Sequence, residues 1–418
     1  MGMYDLVKAK DRLVDYVIAQ NLPDEAVIKA VGNRKFDKNL YVIAIGKAAW
    51  NMANAAVGQL GHQIVKGIVI TKYEHSKGEI PKMEIVEAGH PLSDENTIKA
   101  TGKAIELAKG LSDEDELLFL ISGGGSALFE KPLPGLTLED IVDVNSRLLV
   151  AGADIVEMNV IRKRFSAVKA GRFAQFVAPA STFAIVLSDV LGDRLDSIAS
   201  GPMVPDHSTA CDAKRIAEKY NLKLTPLMEE LLEKETPKEV QGVETVITGS
   251  VVTLSRSAAQ IAKEMGYQPT IICSNMIGEA REVGRMAGVI ASDIISGKSD
   301  FKAPCAIILG GETVVTLKGT GKGGRNQELA LAAAGEISGL ENVLILSLGS
   351  DGTDGPTDAA GGWVNGATSA ALKEKGIDIH QVLENNDAYH ALEAVNQLII
   401  TGPTGTNVND VAVILVKE

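Results

Sequence analysis

A chain of 418 residues exceeds what one ordinary hydrophobic core organises, so two domains are expected. Its residues are 45% hydrophobic and 23% charged, as in a globular protein, and a net charge of −13 argues against nucleic acid or an anionic membrane as partner. Three widely spaced cysteines, Cys211, Cys273 and Cys305, argue against a disulfide framework or structural zinc, and the absence of an apolar run of about 18 residues or of a signal-like N-terminal stretch predicts a cytoplasmic protein without a membrane span.

In chain order, the run LYVIAIG (40–46) predicts a buried strand and 47–60 a helix. Strands are expected at 66–72 and 83–89, a helix at 94–110, and strands at 116–122 and 181–189. A polar stretch with two prolines (222–242) marks the expected boundary between domains 1–240 and 241–418. Beyond it, strands are predicted at 243–249, 269–275, 304–311, 343–350 and 411–417. Helices at 255–266, 279–297 and 325–338 lie between them. Gly-bounded strands separated by helices predict an α/β protein with mainly parallel sheets.

Ligands of open α/β sheets bind beyond the carboxyl ends of strands, so the residues after each apolar run are the candidates. Gly46-Lys47 follows the first strand and opens a helix, where a cation is unfavourable beside the helix dipole unless an anion sits there. Ser122-Gly123-Gly124-Gly125-Ser126 follows LLFLI and predicts a nest of backbone N–H groups for a phosphate or carboxylate. Asp189 and Asp193 follow TFAIVL and suit general-base work or cation binding. Glu312 follows CAIILG. Gly319, Gly321 and Gly324 formally match G-x-G-x-x-G, but Lys322 and Arg325 make this a cationic glycine-rich turn suited to polyphosphate, not a dinucleotide fingerprint. After VLILSLG come Asp351, Asp354 and Asp358. Asp351 is the working acid in this reading because the strand fixes its position, while Asp354 and Asp358 cap or shape the loop. Arg162, Ser166 and Lys169 fall at helical spacing within 158–173, either as a solvated basic face or as an anion site. A Gly/Thr/Asn loop at 401–409 enters the last strand. His90 sits before a helix cap and reads either as a ligand contact or, more simply, as a plain turn histidine.

Eight of these stretches occur in the order found in one family: GKAAWNMA, SGGGSAL, MNVIRKRFSAVKAGR, SDVLGDRLDSIASGP, GGETVV, GGRNQELAL, GSDGTDGPTDAAG and TGPTGTNVNDV. Together they cover nearly the whole chain, which resembles the class II glycerate 2-kinases with a MOFRL domain. One departure is visible. The family often shows R-K-H-L-S-x-x-K-G-G where this chain has Arg162-Lys163-Arg164-Phe165-Ser166 and then Lys169-Ala170-Gly171.

The resemblance implies a Rossmann-like, mainly parallel, three-layer N-terminal domain and a smaller α/β MOFRL domain, with the active site in a cleft between them. It implies ATP-dependent phosphorylation of the 2-hydroxyl of D-glycerate, with Mg²⁺ or another divalent cation, by a monomer or homodimer. Under that reading Lys47 and Arg325 neutralise the transferring phosphoryl group and hold the glycerate carboxylate. Asp189 accepts the hydroxyl proton, with Asp193 in reserve. Glu312 and Asp351 bind the cation or orient Lys47 and Arg325. Ser122 to Ser126, Arg162, Lys169, Gly324 and Asn326 bind substrate or phosphate. Which loop holds ATP and which holds glycerate stays open. The competing classes are an NAD(P)-dependent hydroxypyruvate or 2-hydroxy-acid reductase and a non-catalytic sugar-phosphate-binding regulator.

Overall fold

A computed structural model describes every residue except Met1 and Asn33. The chain divides into two compact units, Pro23–Thr248 and a unit joining the residues up to Leu22 with Gly249–Glu418.

In the first unit, strands β1 (Asn39–Ile45), β2 (Ile64–Lys72), β3 (Met83–Ala88), β4 (Asp115–Ile121), β5 (Ser181–Leu187) and β6 (Val243–Gly249) form one sheet in the order β3-β2-β1-β4-β5-β6. The ladders joining β1 to β5 are all parallel. Near-continuous apolar runs such as DELLFLI, buried at every position, are what a strand covered on both faces requires. Ile43, Ile45, Ile68, Ile70 and Phe119 pack with Ala100 and Ala104 of the helix Glu95–Lys109. The alternate residues Val42, Ala44, Leu118 and Leu120 face the other way and are equally buried, so the sheet is the middle of three layers. Beneath the carboxyl end of β4, the rings of Phe119, Phe129 and Phe173 pack with centroids 4.9–5.9 Å apart and support the turn at the end of the strand.

Four helices, Leu138–Val150, Ile155–Phe165, Ala210–Lys219 and Pro226–Glu233, build a second core of their own around Ile141, Leu148, Ile161, Phe165, Ile216 and Leu232. Each starts on a side chain that accepts an otherwise unpaired backbone N–H: Thr137, Asp154, Thr209 and Thr225. The helical spacing expected through Lys169 breaks at Phe165. Ser166 is extended and bridges to Pro132, so Ser166 and Lys169 do not share a helix face with Arg162.

In the second unit, β7 (Gln268–Met276), β8 (Cys305–Gly311), β9 (Val343–Gly349), β10 (Gly361–Asn365), β11 (Leu398–Ile399) and β12 (Asp410–Val416) run in the order β11-β10-β9-β12-β8-β7. Here the expected parallel sheet is corrected: β7 and β8 pair in parallel, and every other ladder is antiparallel. For one ladder the reason is local: β10 returns from β9 through the loop 350–360, which carries no crossover helix of the kind a parallel neighbour needs.

The helix Gly2–Gln20 packs on the helix Val251–Glu264, where Asn21 Nδ2 donates to Ser257 Oγ at 3.1 Å, and Lys417 pairs with Asp5 at 2.9 Å. These contacts tie the chain's start to its second half, and β6 completes the first sheet. The division therefore differs from the expected 1–240 and 241–418 at both ends.

The helix Arg325–Glu336 is buried from Asn326 to Ala334. It lies along the helix Ala280–Ile295 so closely that a Cβ on Gly284 would stand 2.1 Å from the Leu329 carbonyl oxygen, and one on Gly288 would stand 2.5 Å from Glu336 Cβ. Its first residue is Arg325.

Candidate active site

Three strand ends of the first sheet converge. Gly46 follows β1 with φ +111°, and a Cβ there would collide with Ser122 at 2.3 Å. Ser122 Oγ accepts from Ala48 N at 3.1 Å and donates to the Ile45 carbonyl at 3.2 Å, while Lys47 N donates to the Gly123 carbonyl at 2.8 Å. The turn after β4 is thus laced to the turn after β1. Lys47 itself is half-buried at the start of the helix Ala49–Leu60, which has no side-chain cap, and its Nζ makes no hydrogen bond or ion pair among the described residues.

Each glycine of the triplet is required by a different neighbour. A Cβ on Gly123 would meet Asp189 Oδ2 at 2.3 Å. One on Gly124 (φ +84°) would meet the His90 ring at 2.9 Å and Lys47 Cε at 3.3 Å. One on Gly125 would meet Ala199 at 2.9 Å. The glycines therefore let Asp189, His90 and Lys47 approach one stretch of bare backbone. Ser126 Oγ lies 3.1 Å from Ser200 Oγ, which in turn donates to Asn159 Oδ1 at 3.1 Å. Asp193 is half-buried with φ +51°, a conformation that a residue with a side chain rarely adopts, and its Oδ1 is buried without a hydrogen-bond partner among the described residues.

His90 is half-buried, and its ring stands against the glycine turn. Burial first, and then the charges of Lys47, Lys72 and His75, lower its pKa to about 4, so the ring is neutral at pH 7. An unfolded chain would titrate it near 6.5. Its contribution to stability is therefore complete above that value and is lost as the pH falls from 6.5 towards 4. A ring-proton NMR titration is expected to place His90 below pH 5 and to move it upward in Lys47→Met. An ordinary value in the unsubstituted protein would show that the ring is solvated.

Beside this turn lies a cavity of about 200 Å³ lined by His90, Gly124, Ser126, Glu130, Asn145 and Arg162, among others. Arg162, Lys163 and Arg164 form the last turn of the helix Ile155–Phe165, where cations suit the helix dipole, but they part company there. Arg162 donates through Nε to Asn145 Oδ1 at 2.8 Å. Lys163 is buried between Asp196 at 3.4 Å and Asp206 at 3.2 Å. Arg164, fully buried, donates to the carbonyls of Lys234 and Ser208 at 2.8 and 2.9 Å. In place of the family's usual histidine, Arg164 is thus a clamp within the helical cluster. Lys169 is interior as well. It pairs with Glu130 at 2.9 Å and donates to the carbonyls of Ser126 and Phe129, so it props the glycine turn from behind.

The second unit assembles a different cluster. Arg325 holds Asp410 with two hydrogen bonds, at 2.5 Å from Nε and 3.0 Å from Nη2, and pairs with Glu312 at 2.8 Å through Nη1. Burial, with the nearby Asp354 and Glu312 charges, pushes the Asp410 carboxyl up to about 6 in spite of the guanidinium. On Arg325, burial works against the charge, but Asp410 and Glu312 outweigh it and raise the pKa. The other oxygen of Glu312 accepts from Asn409 Nδ2 at 2.9 Å. Both Glu312 oxygens are therefore engaged, which favours the orienting role over the metal role. Among the described residues no group of three or more His, Cys, Asp or Glu is placed to hold a metal ion.

Asp354 is buried and accepts from Asn326 N at 3.1 Å and Gln327 N at 2.9 Å. It occupies the N-terminus of the helix Arg325–Glu336, where an anionic ligand would otherwise bind. A Cβ on Gly324 would lie 2.3 Å from Asp354 Cγ. Asn326 is interior, accepting from Ser347 Oγ at 2.6 Å. The rest of the glycine-rich turn is also committed. The N–H groups of Lys318, Gly319, Thr320, Gly321 and Lys322 donate to Asn385, Asn386 and Asp387. Of the polyphosphate cradle expected at 319–324, the donors from Gly319 to Lys322 therefore serve the fold, and Asn326 is interior. Asp351 is half-buried, with Oδ1 accepting from Thr353 N at 3.0 Å, and Asp358 is exposed, accepting from Tyr389 Oη at 2.8 Å. The loop 401–409 lies over Asp351: Thr404 N donates to the Asp351 carbonyl and Thr404 Oγ1 to that of Ser350.

Glu130 and Asp410 are the site residues that sequence reasoning passed over. Glu130 stands just past the glycine run. Asp410 was the more legible, an acid at the first position of an otherwise apolar strand.

Residues 9–233 match a family described as a domain of unknown function, DUF4147, and residues 305–410 match the MOFRL family. The D-glycerate 2-kinase of Thermotoga maritima is 49% identical over 417 residues, covering 99% of this chain and 100% of its own. This chain belongs to the glycerate 2-kinase family. A crystal structure of glycerate kinase from the same organism gives a TM-score of 0.96 at 49% identity, covering 99% of this chain and 100% of that one. A family relative from Agrobacterium vitis, named putative hydroxypyruvate reductase, is 38% identical over 97% of this chain and 93% of its own length. In this glycerate 2-kinase family member, no helix among the described residues is long and apolar enough to cross a membrane.

Proposed function

We propose that the chain transfers the γ-phosphoryl group of ATP to the 2-hydroxyl of D-glycerate, giving 2-phosphoglycerate and ADP. One observation carries this reading: the glycine triplet lets a carboxylate, Asp189, and a cation without a partner among the described residues, Lys47, approach the same bare backbone. Phosphoryl transfer needs a proton acceptor at the hydroxyl and positive charge on the equatorial oxygens, and little else from the protein. Asp189 takes the hydroxyl proton and Lys47 carries the charge. Asp193, in its strained conformation nearby in sequence, is the second acid. In the C-terminal unit Arg325 is the cation for the nucleotide phosphates, aimed by Asp410 and Glu312. The enzyme works on small molecules in the cytoplasm.

The reductase name carried by one relative has a structural counterargument. A dinucleotide requires a glycine-rich turn with open N–H groups at a helix N-terminus. In the turn at 319–324 the N–H groups of Gly319 to Lys322 are engaged, and Asp354 caps the helix end. The deciding assay couples product to enolase alone, which responds to 2-phosphoglycerate and not to the 3-phosphate, with ADP release measured in parallel. Oxidation of NAD(P)H by hydroxypyruvate without ADP release would reverse the assignment.

Mg²⁺ bound with nucleotide phosphates takes only one or two carboxylates, and Asp351 fits that demand better than the doubly engaged Glu312. A divalent cation there supplies charge neutralisation on the phosphates. Asp351→Asn is expected to shift the Mg²⁺ concentration needed for ATP binding upward by roughly tenfold, a loss of about 1.4 kcal/mol. Calorimetric titration of ATP across Mg²⁺ concentrations checks it, and an unchanged dependence would remove Asp351 from the cation.

A further inference from the structure

The cavity beside the glycine turn contains two polar groups that the fold leaves unfinished. The Arg162 guanidinium spends Nε on Asn145, and among the described residues its two terminal nitrogens have no hydrogen bond. Glu130 is buried, with Oε2 held by Lys169 at 2.9 Å and Oε1 without a hydrogen-bond partner among the described residues. A buried carboxylate oxygen left unmatched is costly, and such an oxygen in a cleft points to a ligand that donates to it. The half-buried His90 ring, neutral at pH 7, and the backbone of Gly124 form the wall nearest Lys47. At about 200 Å³ the cavity falls below the roughly 300–1,000 Å³ of sites for drug-sized ligands, so it admits a small acid and excludes a nucleotide.

We propose that this cavity is the acceptor-substrate site for a short 2,3-dihydroxy acid, with the Arg162 terminal nitrogens forking its carboxylate and Glu130 Oε1 accepting its terminal hydroxyl. The assignment rests on the kinase reading above and deepens it. Carboxylate and terminal hydroxyl are held at the two protein groups, which leaves the middle hydroxyl to face the wall shared with Lys47. Arg162 is suited to the task because its planar fork matches a carboxylate, which a lysine cannot reproduce. Lys169 neutralises Glu130 from behind, so the pocket does not confront an anionic substrate with an uncompensated carboxylate.

Two measurements test this. In Arg162→Gln, the KM for D-glycerate is expected to rise about 100-fold, with the KM for ATP within a factor of about three and partial recovery in Arg162→Lys. D-Glycerate should raise the melting temperature of the unsubstituted protein and not that of Arg162→Gln. For the unsubstituted enzyme, D-lactate, which lacks the terminal hydroxyl, is expected to have a kcat/KM at least about 1,000-fold below that of D-glycerate, because a site built to bond a hydroxyl rejects the analogue without one. If Arg162→Gln raises the KM for ATP instead, the cavity takes nucleotide phosphate and the proposal fails. It fails equally if D-glycerate's KM is unchanged or D-lactate is an equal substrate. If the unsubstituted protein releases no ADP with D-glycerate, the kinase reading itself falls, a different result from any of these.

Discussion

Lys47→Ala is expected to lose about 100- to 1,000-fold in kcat/KM for D-glycerate while melting like the unsubstituted protein. The size is that of a charge-stabilising donor removed from a transition state. The intact fold is expected from the contacts. The Lys47 backbone is tied to Gly123, but its Nζ has no partner among the described residues, so truncation breaks no hydrogen bond or ion pair. Steady-state kinetics with circular dichroism and thermal melts decide the matter. Turnover near the unsubstituted level in a folded Lys47→Ala protein would remove Lys47 from the chemistry.

Arg325→Gln is expected to fail in two separable ways. Asp410 is buried and depends on the guanidinium, so removing the cation leaves an uncompensated charge, a loss of about 3–5 kcal/mol. The loss depends on pH in a defined sense. Even with Arg325 present the Asp410 carboxyl is pushed up to about 6, above its ordinary 3.8. A raised acid is neutral in the folded state at low pH and becomes a burden as the pH rises through its folded value. The destabilisation should therefore be smaller at pH 5 than at pH 8, as chemical denaturation at the two values would show. Adding Asp410→Asn should restore much of the stability and none of the activity. Recovery of activity in the double variant would mean that Arg325 serves only the fold.

The strand ends were legible because a parallel sheet buried on both faces writes each strand as an apolar run, and the residues just past the run are the first that solvent meets. Lys47, Ser122 to Gly125 and Asp189 were singled out in that way, and the structure brings these strand ends together. Three things were not legible. The antiparallel pairing of the second sheet rests on β12, whose apolar run reads as a strand but does not show its direction, on β10, whose GGWVN sequence begins with glycines and reads as the tail of a loop, and on β11, which has two residues. The cap on the helix Arg325–Glu336 comes from Asp354, 28 positions from Asn326, so no local spacing announces it. The triplet Arg162, Lys163 and Arg164 looks like one basic patch in sequence, yet the helix sends one side chain to a cavity and two to buried clamps. Charge type is read from sequence, but the direction of a side chain is set by the packing around it.

The close seam at Gly284 and Gly288 bears on how this scaffold could be retargeted. A methyl group at either position would force apart the helix that begins with Arg325, so that cation cannot be re-aimed by gradual change in the helices beneath it. New acceptor preferences have to arise elsewhere, in the cavity wall of the first unit, which Leu138, Ile141 and Val142 help to line. Laboratory evolution towards other hydroxy acids should accordingly collect its early changes around 138–145 and leave 280–290 untouched.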